Sequence, residues 1–372
     1  MCGSIGSMPT GFDIAHLPLV SADAHVAEPR DLWRANLPQD LHQQAMAGIT
    51  AQDDGGWELL LDSEFVPGAT DEEDRVRVND PIQRMQVMRE EGIAAECVFP
   101  TVGLYVWMLT DPVGGRISCR IYNEWILDQL ARVSPRFACA GLVPTWDVGD
   151  AIAEVHWIAE HGLAAPMLPV VSNPTWNHPQ WEPLWSAIEE VGLPVVMHQG
   201  TGHDMLHYRG PGAAVSNLLA TQSMAPRAAA LLATSGVLER HPRLHVAFVE
   251  FNSGWMAWTA QTLDFYQESF SAYGTEERPW IRPTLAEPPS FYISRQLHST
   301  FQDDPVGVRN WDLTGPGTVL WGNDFPHGDG VWPDSIATIN EQFAGLSPVA
   351  RRAICFENAC RVYGFSSAAR TD

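Results

Sequence analysis

Eight short apolar runs recur along the chain, at residues 19–22, 96–99, 139–143, 165–170, 193–197, 244–249, 291–297 and 319–321. Most do not alternate apolar with polar residues. Strands made from them are therefore buried on both faces, as in a parallel sheet. The segments between the runs carry helical spacing. Asp80-Pro81 reads as an N-cap followed by proline at the first helical position, with Ile82, Met85 and Met88 behind it. Ile117, Ile121 and Trp125 repeat every four residues, and Ile152, Val155 and Ile158 every three, with Gly162 where a C-cap would fall. Trp181, Leu184, Trp185, Ile188 and Val191 form the clearest amphipathic stripe, ended by Gly192. Such stripes are packing faces rather than cofactor-binding segments.

Eight strands alternating with helices predict an α/β fold, specifically a (β/α)8 TIM barrel. A doubly wound open sheet is the alternative. No GxGxxG or GxxxxGK(S/T) follows the first run, which removes the usual dinucleotide and nucleotide sites. The barrel is expected to be a single domain over residues 19–365, with a flexible leader at 1–18 and a tail at 366–372. The stretch 28–80 is too long for a simple connection and reads as an insertion after the first strand, near the barrel mouth or at a dimer contact. Within it WELLLDSEFVPG suggests a hairpin, and DEEDRVRVND is a charged run. Residues 267–289 form a second excursion, rich in proline and aromatics.

The net charge of -23, from 22 basic and 45 acidic residues, argues against nucleic acid and anionic membranes as partners. No apolar run is long enough to span a bilayer, and none follows a basic start. The six cysteines (Cys2, Cys97, Cys119, Cys139, Cys355 and Cys360) form no CxxC pair. Cys97 and Cys139 read as buried thiols, which fits a reducing, cytoplasmic setting. With 15 tryptophans and 28 prolines, the chain has aromatic surface for a small-molecule pocket or a homodimer interface.

Single polar groups close several of the apolar runs, and barrel active sites lie at the C-terminal strand ends. Asp23 and His25 follow the first run at i and i+2, a spacing that turns both side chains to one face. His198 follows the fifth run, before the Gly200-Thr201-Gly202 turn, and Glu250 closes the sixth. Asp324 follows the eighth, in a Gly-Asn-Asp-Phe-Pro-His stretch that would also suit a plain turn. Two imidazoles with two or three carboxylates make a site for one divalent metal. Asp23, His25, His198 and Asp324 are the expected ligands. A carboxylate at a strand end is costly unless paired or coordinated, so Glu250 is a fifth ligand, an acid or base beside the metal, or a salt-bridge partner of Arg295. Asp324, Glu250 and His327 are the candidate catalytic groups. Arg295 and Arg209 are candidates to hold a substrate carboxylate, and His298, Trp255, Phe325 and Trp332 complete the candidate substrate-binding set.

The motifs SADAHVAEP, LPVVMHQGTG, FVEFNSGW, LWGNDFPH and FENACRVYGF, in that order over residues 20–365, resemble the amidohydrolase superfamily. The resemblance is to its amidohydrolase-related branch, the group of aminocarboxymuconate-semialdehyde decarboxylase. It implies a (β/α)8 barrel with one divalent metal, usually zinc and sometimes manganese. The family's first motif is a His-x-His or Glu-x-His pair, where this chain has Asp23-Ala24-His25. Its strand-five histidine matches His198 and its strand-eight aspartate matches Asp324. The family's decarboxylases usually carry a histidine followed by glycine at the end of strand six. This chain departs there with Glu250, and resembles a subgroup with glutamate at that position and tryptophan, here Trp255, five residues on.

Metal-activated water hydrolysis of an amide, ester or lactone is the first expected reaction, with Asp324 taking the water's proton. The alternative is non-oxidative decarboxylation of an aromatic or unsaturated carboxylic acid, with Asp324 as proton donor. A barrel that only binds its ligand is the third reading.

Overall fold

The computed structural model describes residues 18–54, 57–62, 77–202, 208–271, 285–328 and 330–365. The expected leader and tail, most of the charged run 71–80 and most of the excursion 267–289 lie outside the described residues.

The described residues form ten strands: β1 (Leu19–Ser21), β2 (Met46–Ala51), β3 (Trp57–Leu61), β4 (Ile93–Val98), β5 (Phe137–Leu142), β6 (Ala165–Val171), β7 (Val195–Gly202), β8 (Val246–Val249), β9 (Leu297–Phe301) and β10 (Val319–Trp321). β1 and β4 to β10 make one eight-stranded parallel sheet, each strand paired to the next in chain order. The sheet closes on itself: Ala22 N donates to Trp321 O at 2.9 Å, Asp324 N donates to Asp23 O at 2.9 Å, and Ala24 bridges Phe325 in parallel. The fold is the (β/α)8 barrel expected from the run pattern. Its strands are buried on both faces, inside by the barrel core and outside by helices.

The helices start and stop for local reasons. The Asp80 carboxylate accepts from Ile82 N and Gln83 N at the head of helix Pro81–Glu90. Gly162 and Gly192, both in the left-handed conformation, end helices Val148–His161 and Glu182–Val191. The stripe of the second helix buries Leu184, Trp185 and Ile188 completely. Truncating such a residue to alanine costs about 2–5 kcal/mol.

One expectation is corrected. The seventh run, 291–297, is not a strand: Pro289–Gln296 is a helix, and β9 begins at Leu297. Pro289 sits in its first turn, and Tyr292, Ile293 and Gln296 recur at helical spacing on its buried side. The true strand, Leu-His-Ser-Thr-Phe, is half polar. It can be buried because Ser299 Oγ donates to Asn252 O and Thr300 Oγ1 accepts from Glu250 N at 2.8 Å. In the insertion, Trp57–Leu61 pairs antiparallel with Met46–Ala51, and residues 63–68, the second half of the expected WELLLDSEFVPG hairpin, lie outside the described residues. The tip of the β2–β3 pair reaches the loop after β7, where Gly210 N donates to Asp54 O at 2.8 Å.

Candidate metal centre

The segments after β1 and β10, together with β7, bring donor atoms around His25 Nε2. His25 Nε2 lies 3.1 Å from His198 Nε2, 3.5 Å from Asp23 Oδ1 and 3.3 Å from Asp324 Oδ1. His198 Nε2 lies 3.6 Å from Asp23 Oδ1. Asp23 and His25 share a face, as their spacing predicts. His198 sits inside β7 rather than after it, paired with Pro169 on one side and Val249 on the other. Asp324 takes φ +56°, a left-handed conformation that turns its carboxylate inward after β10. The close approach is allowed by Gly322, where a Cβ would stand 2.5 Å from that of Asp23.

Both imidazoles are oriented through the nitrogen that faces away. His25 Nδ1 donates to Pro100 O at 2.7 Å, and His198 Nδ1 donates to Gln199 O at 3.0 Å. Each Nε2 therefore presents a lone pair to the common point. Asp23 Oδ2 accepts from Gln302 Nε2 at 2.7 Å, while its Oδ1 is buried and accepts no hydrogen bond. The two nitrogen lone pairs and Asp23 Oδ1, all within 4.8 Å of one another, have no donor among them. A divalent cation satisfies that set, so Asp23, His25 and His198 fit a single metal, with Asp324 Oδ1 3.3 Å from His25 Nε2 beside them. Protonation at neutral pH does not compete. Burial, aided by the charge of His327, lowers His25 to about 3. Burial alone would raise Asp23, but hydrogen bonds and charge from His198 and His25 outweigh it and hold the carboxyl at about 2.

A rim surrounds this floor. His327 Nδ1 meets Asp324 Oδ1 at 3.1 Å, and its ring lies 4.0 Å from that of His25. Glu250, also left-handed at φ +66°, places Oε2 3.7 Å from His198 Nδ1 and accepts from Gln199 Nε2 at 3.5 Å. One donor atom from each of His25, Glu250, Asp324 and His327 falls within 4.8 Å of the others.

The remaining expected substrate groups lie elsewhere. Arg295 is on the helix that precedes β9, at the opposite end of the barrel, bonded to Leu238 O and Gln296 Oε1. It pairs with neither Glu250 nor the mouth. His298 stands at the start of β9, hydrogen-bonded to His245 and Gly317 O at that same far end. Arg209 pairs with Asp54 of the hairpin. Phe325 is buried against Trp332 and the Arg84 guanidinium, and Trp255 packs on Phe248 with Nε1 donating to Asn252 O. These contacts brace the turns that carry Asp324 and Glu250, while Trp255 and Trp332 remain partly exposed.

Several supporting residues escape a reading from sequence. Glu28 accepts from the backbone of Thr101, Val102 and Gly103, which fixes the loop after β4. Thr101 Oγ1 then meets His327 Nε2 at 3.3 Å. Buried Arg84, ion-paired with Glu96, donates to His25 O at 2.7 Å. Only Glu28 left a signal, as the last acidic residue of the DAHVAEP stretch. Gln302, Thr101 and Arg84 are polar residues of ordinary context.

A parallel barrel with histidine and carboxylate groups gathered at its C-terminal mouth has the arrangement of metal-assisted barrel enzymes. The chain is a member of the amidohydrolase family, whose model matches residues 20–365. Among solved structures it is similar to an amidohydrolase from Mycobacterium avium subsp. paratuberculosis K-10, at 19% identity and TM-score 0.73, covering 93% of this chain and 99% of that one. It is also similar to 5-carboxyvanillate decarboxylase from Novosphingobium aromaticivorans DSM 12444, solved with manganese and 3-methoxy-4-hydroxy-5-nitrobenzoic acid. That match has 16% identity and TM-score 0.71, covering 96% and 100%. A third is a dihydroxybenzoic acid decarboxylase from Polaromonas sp. JS666 with manganese and 2-nitroresorcinol, at 16% identity and TM-score 0.62, covering 93% and 96%. No curated protein matches the chain in sequence.

Proposed function

We propose that the protein is a metal-dependent, non-oxidative decarboxylase of an aromatic or unsaturated carboxylic acid, in preference to the hydrolase reading. The supporting observation is how a proton is stored at the rim. Thr101 Oγ1 donates its one hydrogen to Val26 O at 2.7 Å, so it can only accept from His327 Nε2–H. His327 Nδ1 lies 3.1 Å from Asp324 Oδ1, so a proton on either group can be shared with the other. An acid–base pair of this kind beside the donor cluster is what protonation of a carbon requires. The decarboxylase neighbours, two of them solved with manganese, favour the same reaction.

Asp23, His25, His198 and Asp324 would hold one divalent metal, manganese or zinc. When bound, the metal supplies a Lewis acid for the substrate carboxylate and an adjacent oxygen. Asp324 delivers its proton to the carbon that bears the carboxylate. The carbon–carbon bond breaks, the electron pair stays on the ring, and CO2 leaves. His327 returns a proton to Asp324, and Thr101 keeps the imidazole aimed. The chain has no lysine, so a lysine Schiff base plays no part.

The described cysteines are free and buried, which supports a cytoplasmic protein, and no described helix is long and apolar enough to cross a membrane. A homodimer remains the proposed assembly. The test is incubation of manganese- and zinc-loaded protein with hydroxybenzoates and 5-carboxyvanillate, with CO2 detected. Release of CO2 is the expected result. Cleavage of amides or lactones without CO2 would restore the hydrolase reading, and absence of stoichiometric metal would support a barrel that only binds.

A further inference from the structure

The chain carries a net charge of -23, so two copies repel one another unless they meet through a surface that bears little charge. Two stretches have that character. Residues 210–226, beyond β7, and residues 251–263, beyond β8, contain no Asp, Glu, Lys or Arg. Helix Ala213–Gln222 lies in the first, and the second opens helix Gly254–Ser271.

Both helices turn large apolar side chains outward. On Gly254–Ser271, Met256, Thr259 and Ala260 are buried, while Trp258, Phe265 and Tyr266 are 64%, 63% and 52% exposed. Trp258, Thr262, Phe265 and Ser269 follow at i, i+4, i+7 and i+11, so one uncharged stripe runs along the outer side of the helix. The Phe265 and Tyr266 rings meet edge to face, 5.4 Å between centroids, beside that stripe. On Ala213–Gln222, Ala213 and Ala220 are buried, and Val215, Leu218 and Leu219 are 47% to 75% exposed. The two helices are neighbours. Helix Met224–Thr234 packs against both, and Asn252 Nδ2 donates to Gln222 Oε1 at 3.3 Å, tying the end of one helix to the turn that opens the other.

The area of this face matches what a dimer needs. Large aromatic side chains bury about 150–250 Å2 each, so three at this exposure leave on the order of 350 Å2 of surface. The three aliphatic side chains bring the apolar area to on the order of 600 Å2, the upper end of what a monomer exposes. A standard interface covers about 800 Å2 on each partner, with an apolar, charge-depleted and aromatic-rich centre and a polar rim.

We infer that Trp258, Phe265 and Tyr266, continued by Val215, Leu218 and Leu219, form the centre of a two-fold interface with a second copy of this chain. The two-fold arrangement sets the same uncharged face of each copy against the other and leaves the acidic remainder of both surfaces in solvent. The inference rests on the homodimer reading above, to which it gives a surface, and it is independent of the reaction. A membrane suits the face less well. Interfacial helices carry Lys or Arg on their polar side, whereas this chain has no lysine and neither helix has an arginine.

The test is sedimentation equilibrium of the manganese-loaded full chain, which is expected to give twice its mass of 41.1 kDa. Trp258→Glu and Leu219→Glu, made separately, each bury a charge in the interface. Each is expected to weaken the dimer by about a hundredfold or more, with circular dichroism and metal content as in wild type. Val349→Glu changes an equally exposed aliphatic on helix Pro348–Arg352 and is expected to leave the dimer intact. A dimer that survives either of the first two substitutions would overturn this face and leave the homodimer reading standing. Equal weakening by Val349→Glu would do the same. A monomeric wild type would sink both, including one that binds phosphatidylcholine vesicles through this face instead.

Discussion

His25 and His198 aim their Nε2 atoms at one another 3.1 Å apart, while the Nδ1 of each is committed to a backbone carbonyl. Neither nitrogen can donate to the other. The arrangement is unfavourable for the bare protein and favourable around a cation.

Metal removal should therefore lower stability as well as activity. At free metal a hundredfold above its Kd, binding adds about 2.7 kcal/mol to the folded state. Chelation should lower the unfolding temperature by several degrees, and manganese or zinc should restore it. In His198→Ala, elemental analysis should find well under one metal per chain. Full occupancy in that variant would remove His198 from the ligand set.

Asp324→Asn should abolish turnover, by a factor of about 10³ or more, since the amide cannot pass a proton to carbon. The backbone bond from Asp324 N to Asp23 O that helps close the barrel is untouched. Circular dichroism and the unfolding midpoint should stay near wild type. Substantial residual turnover would exclude Asp324 as the proton donor.

Gln302 touches no expected substrate position, but it alone donates to Asp23 Oδ2 among the described hydrogen bonds. Gln302→Leu should weaken metal affinity about 10–100-fold by freeing the carboxylate to rotate. Competition with a fluorescent chelator measures this directly. Unaltered affinity would show that packing alone orients Asp23.

A pH dependence follows from the far end of the barrel. Burial, with the charge of His245, lowers His298 to about 3, and burial also lowers His245. Unfolded histidine titrates near 6.5, so below that pH the unfolded chain binds protons that the folded one refuses. The contribution is fully present above about 6.5 and is lost as pH falls toward about 3, by up to about 1.4 kcal/mol per unit from His298. Urea unfolding between about pH 7.5 and 5.5 should show stability falling with pH, with a shallower slope in His298→Asn. Equal slopes would mean that His298 takes up its proton while folded.

Much of the architecture was legible because burial on both faces leaves a plain mark. Run 319–321 is β10 itself, and six other runs overlap their strands. β9 was misplaced because Ser299 and Thr300 find partners only from β8 and its turn, so nothing local marks them as buried. Of the expected site residues, those set by period-two spacing or by ending an apolar run came together. Arg295 and His298 followed the misplaced strand and fell at the wrong end of the barrel.

The sequence alone determined that the chain alternates buried strands with helices, and that Asp23, His25, His198 and Asp324 close apolar runs. Those facts depend on side-chain period and on the cost of leaving apolar surface in water, both local. Only the tertiary structure decided that Asp23 and His198 meet His25 with Asp324 beside them, that Thr101 lies against His327, and that Glu250 stands near His198 rather than pairing with Arg295. Such relationships depend on distances between residues far apart in the chain, which barrel closure sets and no local pattern encodes.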